Sequence, residues 1–295
     1  MNDLHAWIGQ RMSSIDTFCP RLTRWMAATL DRTDLMEPAD GTPLPAGWHW
    51  MFFNPVEPRQ GLGVDGHPMR GGFLPPVPLP RRMWAGSRLH WHRALRVGSR
   101  VEREARILRV ESKSGRNGDM VFVTVGYTYR EGGVVLLEEE HDIVYRDNPG
   151  AGEREALAAI PQRAREFDGS FERHGKHVER VVPDPTLLFR YSAATFNGHR
   201  IHYDLPYALE EEGYPGLVVQ GPLIATMLLG LLERHAGAER EIERFEFRAK
   251  RPTFCISPFH LHLDNGDAPE QVRLWSTNNA GEVALDCAAT LRARP

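Results

Sequence analysis

Apolar and polar residues alternate with a period of two along two separate stretches of the chain, the signature of strands with one buried face. In the first stretch the pattern predicts strands over residues 88–94, 99–110, 120–129 and 134–145, punctuated by Gly115-Arg-Asn-Gly118 and Glu131-Gly-Gly133. In the second it predicts strands over 244–252, 258–263, 272–277 and 283–291, the last two joined by Asn278-Asn-Ala-Gly281. The chain between the stretches is polar and rich in Ala, Glu and Arg, with a helix expected over 153–167. These patterns divide the chain into a first unit, 1–147, a linker, 148–180, and a second unit, 181–295.

A short repeat ties the two units together. Leu22 to Asp31 reads LTRWMAATLD and Leu188 to Asn197 reads LFRYSAATFN, five identities and three close substitutions in ten positions. Both copies have helical spacing, and Asp184-Pro185 supplies an N-cap and a first-turn proline for the second. Each unit thus reads as helix, irregular stretch and antiparallel meander. The second also holds an almost wholly apolar helix from Pro222 to Leu232, which needs protein on every side. A twisted sheet needs its inner face covered, and such a helix covers it. The expected fold is therefore α+β, a double hotdog: two antiparallel sheets, each wrapping a central helix, as a pseudo-dimer in one chain.

Composition narrows the class. The chain has 295 residues, 41% of them hydrophobic and 25% charged, and a net charge of -3, which is globular and offers no basic block to a nucleic acid. Of the 36 basic residues all but Lys113, Lys176 and Lys250 are Arg; codon bias is the simpler reading, phosphate binding the other. Cys19, Cys255 and Cys287 lie far apart with no CxxC, which fits a reducing compartment. The first eleven residues lack a signal-peptide pattern, and the apolar run from Gly216 to Leu232 is short for a bilayer. A cytoplasmic protein with no membrane or nucleic-acid partner is the expectation.

The densest polar cluster, Phe196-Asn-Gly-His-Arg-Ile-His-Tyr-Asp204, follows the second copy of the repeat directly. The first copy carries Met36 where the second carries His202, as a duplicated enzyme with one surviving site would. Taken alone, His199 and His202 also read as ordinary loop histidines. Gln220-Gly221-Pro222 then opens the apolar helix, where a free glycine N–H and the helix dipole suit a developing oxyanion; it equally suits a plain helix start. Three further patterns are weaker. Gly61-Leu-Gly-Val-Asp-Gly66 is a literal GxGxxG, but no strand precedes it and the Pro-rich segment after it starts no helix, so a dinucleotide site is set aside. His90-x-His92 and His260-x-His262 each place two imidazoles on one strand face without a visible third ligand, so no metal is expected. Arg81-Arg82-Met-Trp84 reads first as packing between the units, second as an anchor for phosphate groups.

Tyr191-Ser-Ala-Ala-Thr-Phe-Asn-Gly-His-Arg-Ile-His202 resembles the motif of the MaoC-like, (R)-specific enoyl-CoA hydratases, an aromatic helix end finishing in Gly-Asp-x-Asn-Pro-Leu/Ile-His. With Pro80-Arg-Arg-Met-Trp-Ala-Gly86 and Gly47-Trp-His-Trp50, the likeness extends to a branch of double-hotdog hydroxyacyl-thioester dehydratases that includes mesaconyl-C4-CoA and itaconyl-CoA hydratases. The resemblance implies catalytic roles for His202, Asn197 and Gly221, with Asn197 standing where the family has Asp. It implies substrate contacts by His199, Arg200, Gln220, Arg82 and Trp84, with Gln220 in place of a family His. Asn cannot accept a proton at neutral pH, so the acid/base work moves to His202.

The implied reaction is reversible addition of water to a short, branched dicarboxylic enoyl-CoA, mesaconyl-C4-CoA or itaconyl-CoA giving citramalyl-CoA. Coenzyme A enters as part of the substrate, and no separate cofactor is expected; a homodimer is allowed but not required. The alternatives are a fatty-acid-type (R)-3-hydroxyacyl-thioester dehydratase, a hotdog thioesterase, against which the missing carboxylate weighs, and a non-catalytic acyl-thioester-binding scaffold.

Overall fold

A computed structural model describes residues 4–115 and 118–294. The first half contains β1 (Arg11–Thr17), α1 (Pro20–Thr29), β2 (Arg81–Trp91), β3 (Arg100–Gly115), β4 (Gly118–Glu131) and β5 (Val134–Arg146). Helix α2 (Ala151–Arg165) follows. The second half contains β6 (His177–Val181), α3 (Pro185–Ala194), α4 (Gly221–His235), β7 (Arg240–Ala249), β8 (Phe259–Asn265), β9 (Gln271–Thr277) and β10 (Val283–Ala293). The centre of the expected turn between β3 and β4, Arg116 and Asn117, lies outside the described residues.

The strands form one antiparallel sheet of ten, in the order β1-β3-β4-β5-β2-β7-β10-β9-β8-β6. That order is symmetric about the pair β2–β7, so the internal repeat of the sequence is a repeat of topology. The two sheets expected from the sequence are halves of this single sheet. At their junction β2 and β7 pair from Gly86↔Arg248 to His90↔Arg244. Gly86 sits beside a register shift in β2, and a Cβ there would collide with the Phe247 carbonyl oxygen, so the close approach requires glycine.

The repeated segments pack against each other as α1 and α3, with the Arg190 guanidinium donating to the Ala28 carbonyl at 3.3 Å. The threonine shared by both copies makes the same bond in each: Thr29 Oγ1 to Trp25 O at 2.7 Å and Thr195 Oγ1 to Tyr191 O at 2.8 Å. The copies have diverged in burial. Trp25 is 49% exposed, whereas the aligned Tyr191 is 2% exposed and reaches Thr226 of α4.

Helix α4 buries Leu223, Ile224, Ala225, Leu228, Leu229, Leu231 and Leu232 against β7 to β10. Among the described residues the first half has no α-helix in the matching place. The chain between α1 and β2, with short 3-10 turns at Thr33–Leu35, Trp48–Met51 and Arg59–Gly61, fills it, with Trp48, Met51, Phe52 and Phe53 buried in the same core as α4. Ala46 N–H donates to the Glu233 carboxylate at 2.9 Å, which fastens this irregular chain to α4. A second core under β3 to β5, built on Ile107, Val123, Val125 and Tyr145, is covered by Phe73, Leu74 and Leu79. The central helix expected in each half is therefore present in the second alone, and one helix serves a core that reaches across the seam.

Strands β1 and β6 were not visible in the alternation because they are sheet edges with no fully buried residue. β6 begins at His177, within the stretch read as linker. β2 begins at Arg81, seven residues before the alternation becomes clear, which places Arg82 and Trp84 on a strand opposite Tyr145 and Ile143 of β5.

Candidate active site

Asp184 caps α3 as the sequence predicts, its carboxylate accepting from Leu187 N–H at 2.8 Å. The helix ends at Ala194, and Phe196, with a φ of 49°, turns the chain sharply and presents the loop from Asn197 to Asp204. Asn197 Oδ1 accepts from His199 N–H at 3.1 Å, an Asx turn that shapes this loop. Its amide NH₂ is left for other partners.

His202 is 7% exposed and donates from Nδ1 to the Val218 carbonyl at 2.7 Å. That bond fixes the tautomer of the neutral ring and leaves Nε2 as an acceptor. Burial pushes the His202 pKa down to about 4, against a smaller upward pull from the Val218 carbonyl, so the ring is neutral at physiological pH. Three residues beyond Val218, Gly221 opens α4. The first N–H of a helix has no acceptor within it, and a Cβ on Gly221 would meet nothing within 4 Å, so the donor end is open to an approaching carbonyl.

The other residues implied at the substrate fall into two groups. Gln220 is fully buried and gives its NH₂ to Leu188 O and Ser192 Oγ, both at 2.9 Å, pinning the start of α4 to α3. Arg200 is paired with Asp204 at 2.8 Å, donates to Val64 O at 3.0 Å and lies over the Tyr207 ring. Trp84 donates to Gly86 O and Ser87 Oγ, and stacks on His141 at 4.1 Å, which is the packing role. Its neighbour Arg81 is buried at the seam on Glu212 and Tyr214. Of the arginines Arg81, Arg82 and Arg200, Arg82 is the one without an ion pair among the described residues, and its charge bears on His67, His141 and His199.

His199 stands between two other imidazoles, 4.2 Å from His67 and 5.3 Å from His202 by ring centroid. Burial, with the neighbouring His67 and His202, drives its pKa far below the usual histidine range. His67 comes from the GxGxxG segment of the first half. Asp65 Oδ2 lies 3.0 Å from His67 Nδ1, and Asp65 Oδ1 accepts from His67 N–H at 3.0 Å. Burial would raise the Asp65 pKa, but the bonds and charge of His67 outweigh it and hold this carboxyl well below the ordinary range. The segment is locked onto the loop from Asn197 to Asp204: Arg200 N–H donates to Asp65 O at 2.9 Å, and Gly66 and Gly198 touch backbone to backbone. The glycines set aside as a nucleotide motif are thus a docking device, and Asp65 and His67 escaped sequence reasoning because 130 residues separate them from their partners.

A second polar cluster also escaped it. Glu139, from an acidic run in β5, is buried on His49, Trp50 and Ser87 at 3.2, 3.2 and 2.9 Å. Burial pushes its carboxyl up, but these contacts and the nearby imidazoles prevail and keep its pKa below the usual value.

The two His-x-His patterns differ. His262 stacks flat on Trp275 and bonds Thr277, as a packed residue does. His90 and His92 acquire Glu138 as a neighbour, three donor groups within 4.8 Å at the surface. Asp65, His67 and His199 form the other such group among the described residues. No helix among the described residues is long and apolar enough to cross a membrane.

Residues 47–255 match the family model of hydroxyacyl-thioester dehydratase type 2. The chain is similar to mesaconyl-C(4)-CoA hydratase of Chloroflexus aurantiacus, with 45% identity over 290 residues and 98% of each chain covered. Among solved structures, a MaoC-like dehydratase superposes with a TM-score of 0.68 at 14% identity, covering 98% of both chains. A conserved Mycobacterium tuberculosis protein with a double hotdog fold gives 0.58 at 13% identity, covering 97% of this chain and 96% of the other. At such identities these two structures speak to the fold alone. Together with the symmetric sheet, the single apolar helix and the imidazole-bearing loop beside its tip, these likenesses establish that the chain is a double-hotdog protein of the type 2 hydroxyacyl-thioester dehydratase family.

Proposed function

We propose that this hydro-lyase reversibly hydrates a short, branched dicarboxylic enoyl-CoA, mesaconyl-C4-CoA or itaconyl-CoA, to citramalyl-CoA. The observation that carries the reading is the His202 ring, held through Nδ1 by Val218 with Nε2 left as an acceptor, just ahead of the open Gly221 N–H. The 45% identity to a mesaconyl-C(4)-CoA hydratase over nearly the whole chain supports the choice of substrate.

With mesaconyl-C4-CoA, whose double bond is conjugated to the thioester, the thioester oxygen accepts from Gly221 N–H at the positive end of α4. A preorganised donor of this kind lowers the barrier to enolate formation by about 3 kcal/mol. The Asn197 NH₂ donates to the water oxygen and holds it. His202 Nε2 takes one proton from that water as its oxygen bonds the β-carbon, and the π pair moves toward the thioester. The imidazolium then returns its proton to the α-carbon, so the neutral ring is restored each cycle.

Mesaconyl-C4-CoA, itaconyl-CoA, crotonyl-CoA and a long-chain 2-enoyl-CoA, each followed by loss of enoyl absorbance and by CoA release, test the reading. A dicarboxylic thioester preferred by about tenfold or more in kcat/KM is expected. Preference for the long chain would assign the fatty-acid-type dehydratase instead, CoA release a thioesterase, and no turnover of any thioester a binding scaffold.

A further inference from the structure

Asn197 leaves the attacking water half-held. In the reading above its NH₂ faces the water and can only donate, while its oxygen is turned to His199 N–H. His202 Nε2 accepts one water proton, so the second O–H of the water needs another acceptor. In this chain the carboxylate that is absent at position 197 stands instead at Asp65, beside an imidazole that belongs to the same cluster. Asp65 Oδ2 accepts the hydrogen bond from His67 Nδ1–H, and the neutral ring, which keeps that proton, has a bare Nε2.

A metal ion is the competing use of Asp65, His67 and His199, whose donor atoms lie within 4.8 Å of one another. Three observations favour proton chemistry. Both Asp65 oxygens are already engaged by His67. The His67 and His199 rings lie 4.2 Å apart and 42° from parallel, a face contact closer than two rings converging edge-on upon one ion. The unpaired Arg82 guanidinium adds a positive charge to the same cluster.

Resting on the hydration reading above, we propose that His67, oriented by Asp65, is a further catalytic residue contributed by the first half: its Nε2 accepts the second O–H of the attacking water. His67 takes no proton. One O–H bond of the water breaks toward His202, the O–Cβ bond forms, the other hydrogen stays on the new hydroxyl in its bond to His67, and the α-carbon receives the proton carried by His202. The two acceptors together aim the water lone pair at the β-carbon. The active site is then composite, with the base on the second half and the water clamp on the first.

The test pairs turnover with a direct view of the ring. Asp65→Asn preserves the shape of the pair but can donate to Nδ1, which reverses the His67 tautomer; His67→Ala removes the acceptor. Each is expected to lower kcat on mesaconyl-C4-CoA and crotonyl-CoA by about 100-fold with KM within about threefold, and the double variant should be no worse than His67→Ala. In ¹⁵N-histidine spectra His67 should carry its proton on Nδ1 in the wild type and on Nε2 in Asp65→Asn. Both single variants turning over within about threefold of wild type, while His202→Ala is inactive, would overturn the proposal and leave the hydration reading intact. A wild-type His67 protonated at Nε2 overturns it whatever substrate is used. Activity lost to a chelator and restored by zinc overturns it in favour of a metal centre.

Discussion

Gly66 and Gly198 meet with no side chain between them: a Cβ on Gly198 would come within 2.7 Å of the Gly66 carbonyl oxygen, and one on Gly66 would overlap Gly198 outright. This contact is what lets a loop of the first half rest on the loop from Asn197 to Asp204 in the second. Gly66 also holds a φ of 86°, open to glycine at little cost. Gly66→Ala should therefore cost about 1–3 kcal/mol of stability and lower kcat more than Gly198→Ala does. Urea unfolding and turnover measured on both variants check this; wild-type values in Gly66→Ala would show that the loops need no such contact.

His202→Ala should abolish hydration and leave the circular dichroism spectrum close to wild type, with the thermal midpoint lowered by the loss of a buried ring and of its bond to Val218. A loss of about 10²-fold or more in kcat is the range for a positioned acid/base. Near-normal turnover would remove His202 from the mechanism.

Asn197→Asp restores the carboxylate at the position where the resembling hydratases carry it, while keeping an oxygen for His199 N–H. It should rescue His67→Ala by about tenfold or more in kcat, because the new carboxylate can accept the water hydrogen that His67 no longer takes. If the double variant is as slow as His67→Ala alone, the two acceptors do not do the same job.

Stability should fall with acid earlier than the carboxylates alone would dictate. Burial lowers the pKa values of His202 and His262 to about 4, as it does for His141 against the opposing pull of Glu139. The unfolded chain takes up these protons near pH 6.5, so the folded state is favoured above that pH and loses the advantage as pH falls from 6.5 toward 4. Each group contributes at most about 1.4 kcal/mol per pH unit in that window. Urea midpoints that are flat between pH 7 and pH 4.5 would contradict this. Turnover should hold to lower pH than an ordinary histidine base allows and decline near pH 4.

Glu139→Leu should destabilise by about 3 kcal/mol or more, because His49, Trp50 and Ser87 would keep buried donors with no acceptor. Glu139→Gln, which retains one acceptor oxygen, should recover part of the loss. Equal unfolding midpoints for the two variants would mean that the cluster packs by shape alone.

Local signals carried much of the architecture. The helix cap at Asp184, the apolar run of α4 and the alternation in β3 to β5 and β7 to β10 are short-range patterns, and the repeat announced that they occur twice. Edge strands β1 and β6 left no such trace, because neither buries a face. The first half gave no sign of lacking a central α-helix: Trp48, Met51, Phe52 and Phe53 enter the same core from a single 3-10 turn and the residues after it. At the site, the loop from Asn197 to His202 was legible from residue types at fixed spacing. Asp65 and His67 were not, since only the folded chain brings residue 67 against residue 199, and a glycine pattern with a better-known use masked the place.

The seam between β2 and β7 explains how the halves drifted so far apart in content while staying joined. Peptide groups make the strand pairing at that junction, with side chains such as Arg81 on Glu212 and Trp84 against Phe247 added to it, so the pairing itself depends on few side-chain identities beyond Gly86. Under such a bond one twin can shed an entire structural member, and even lend an arm to its sibling's workplace, without the pair coming unstuck.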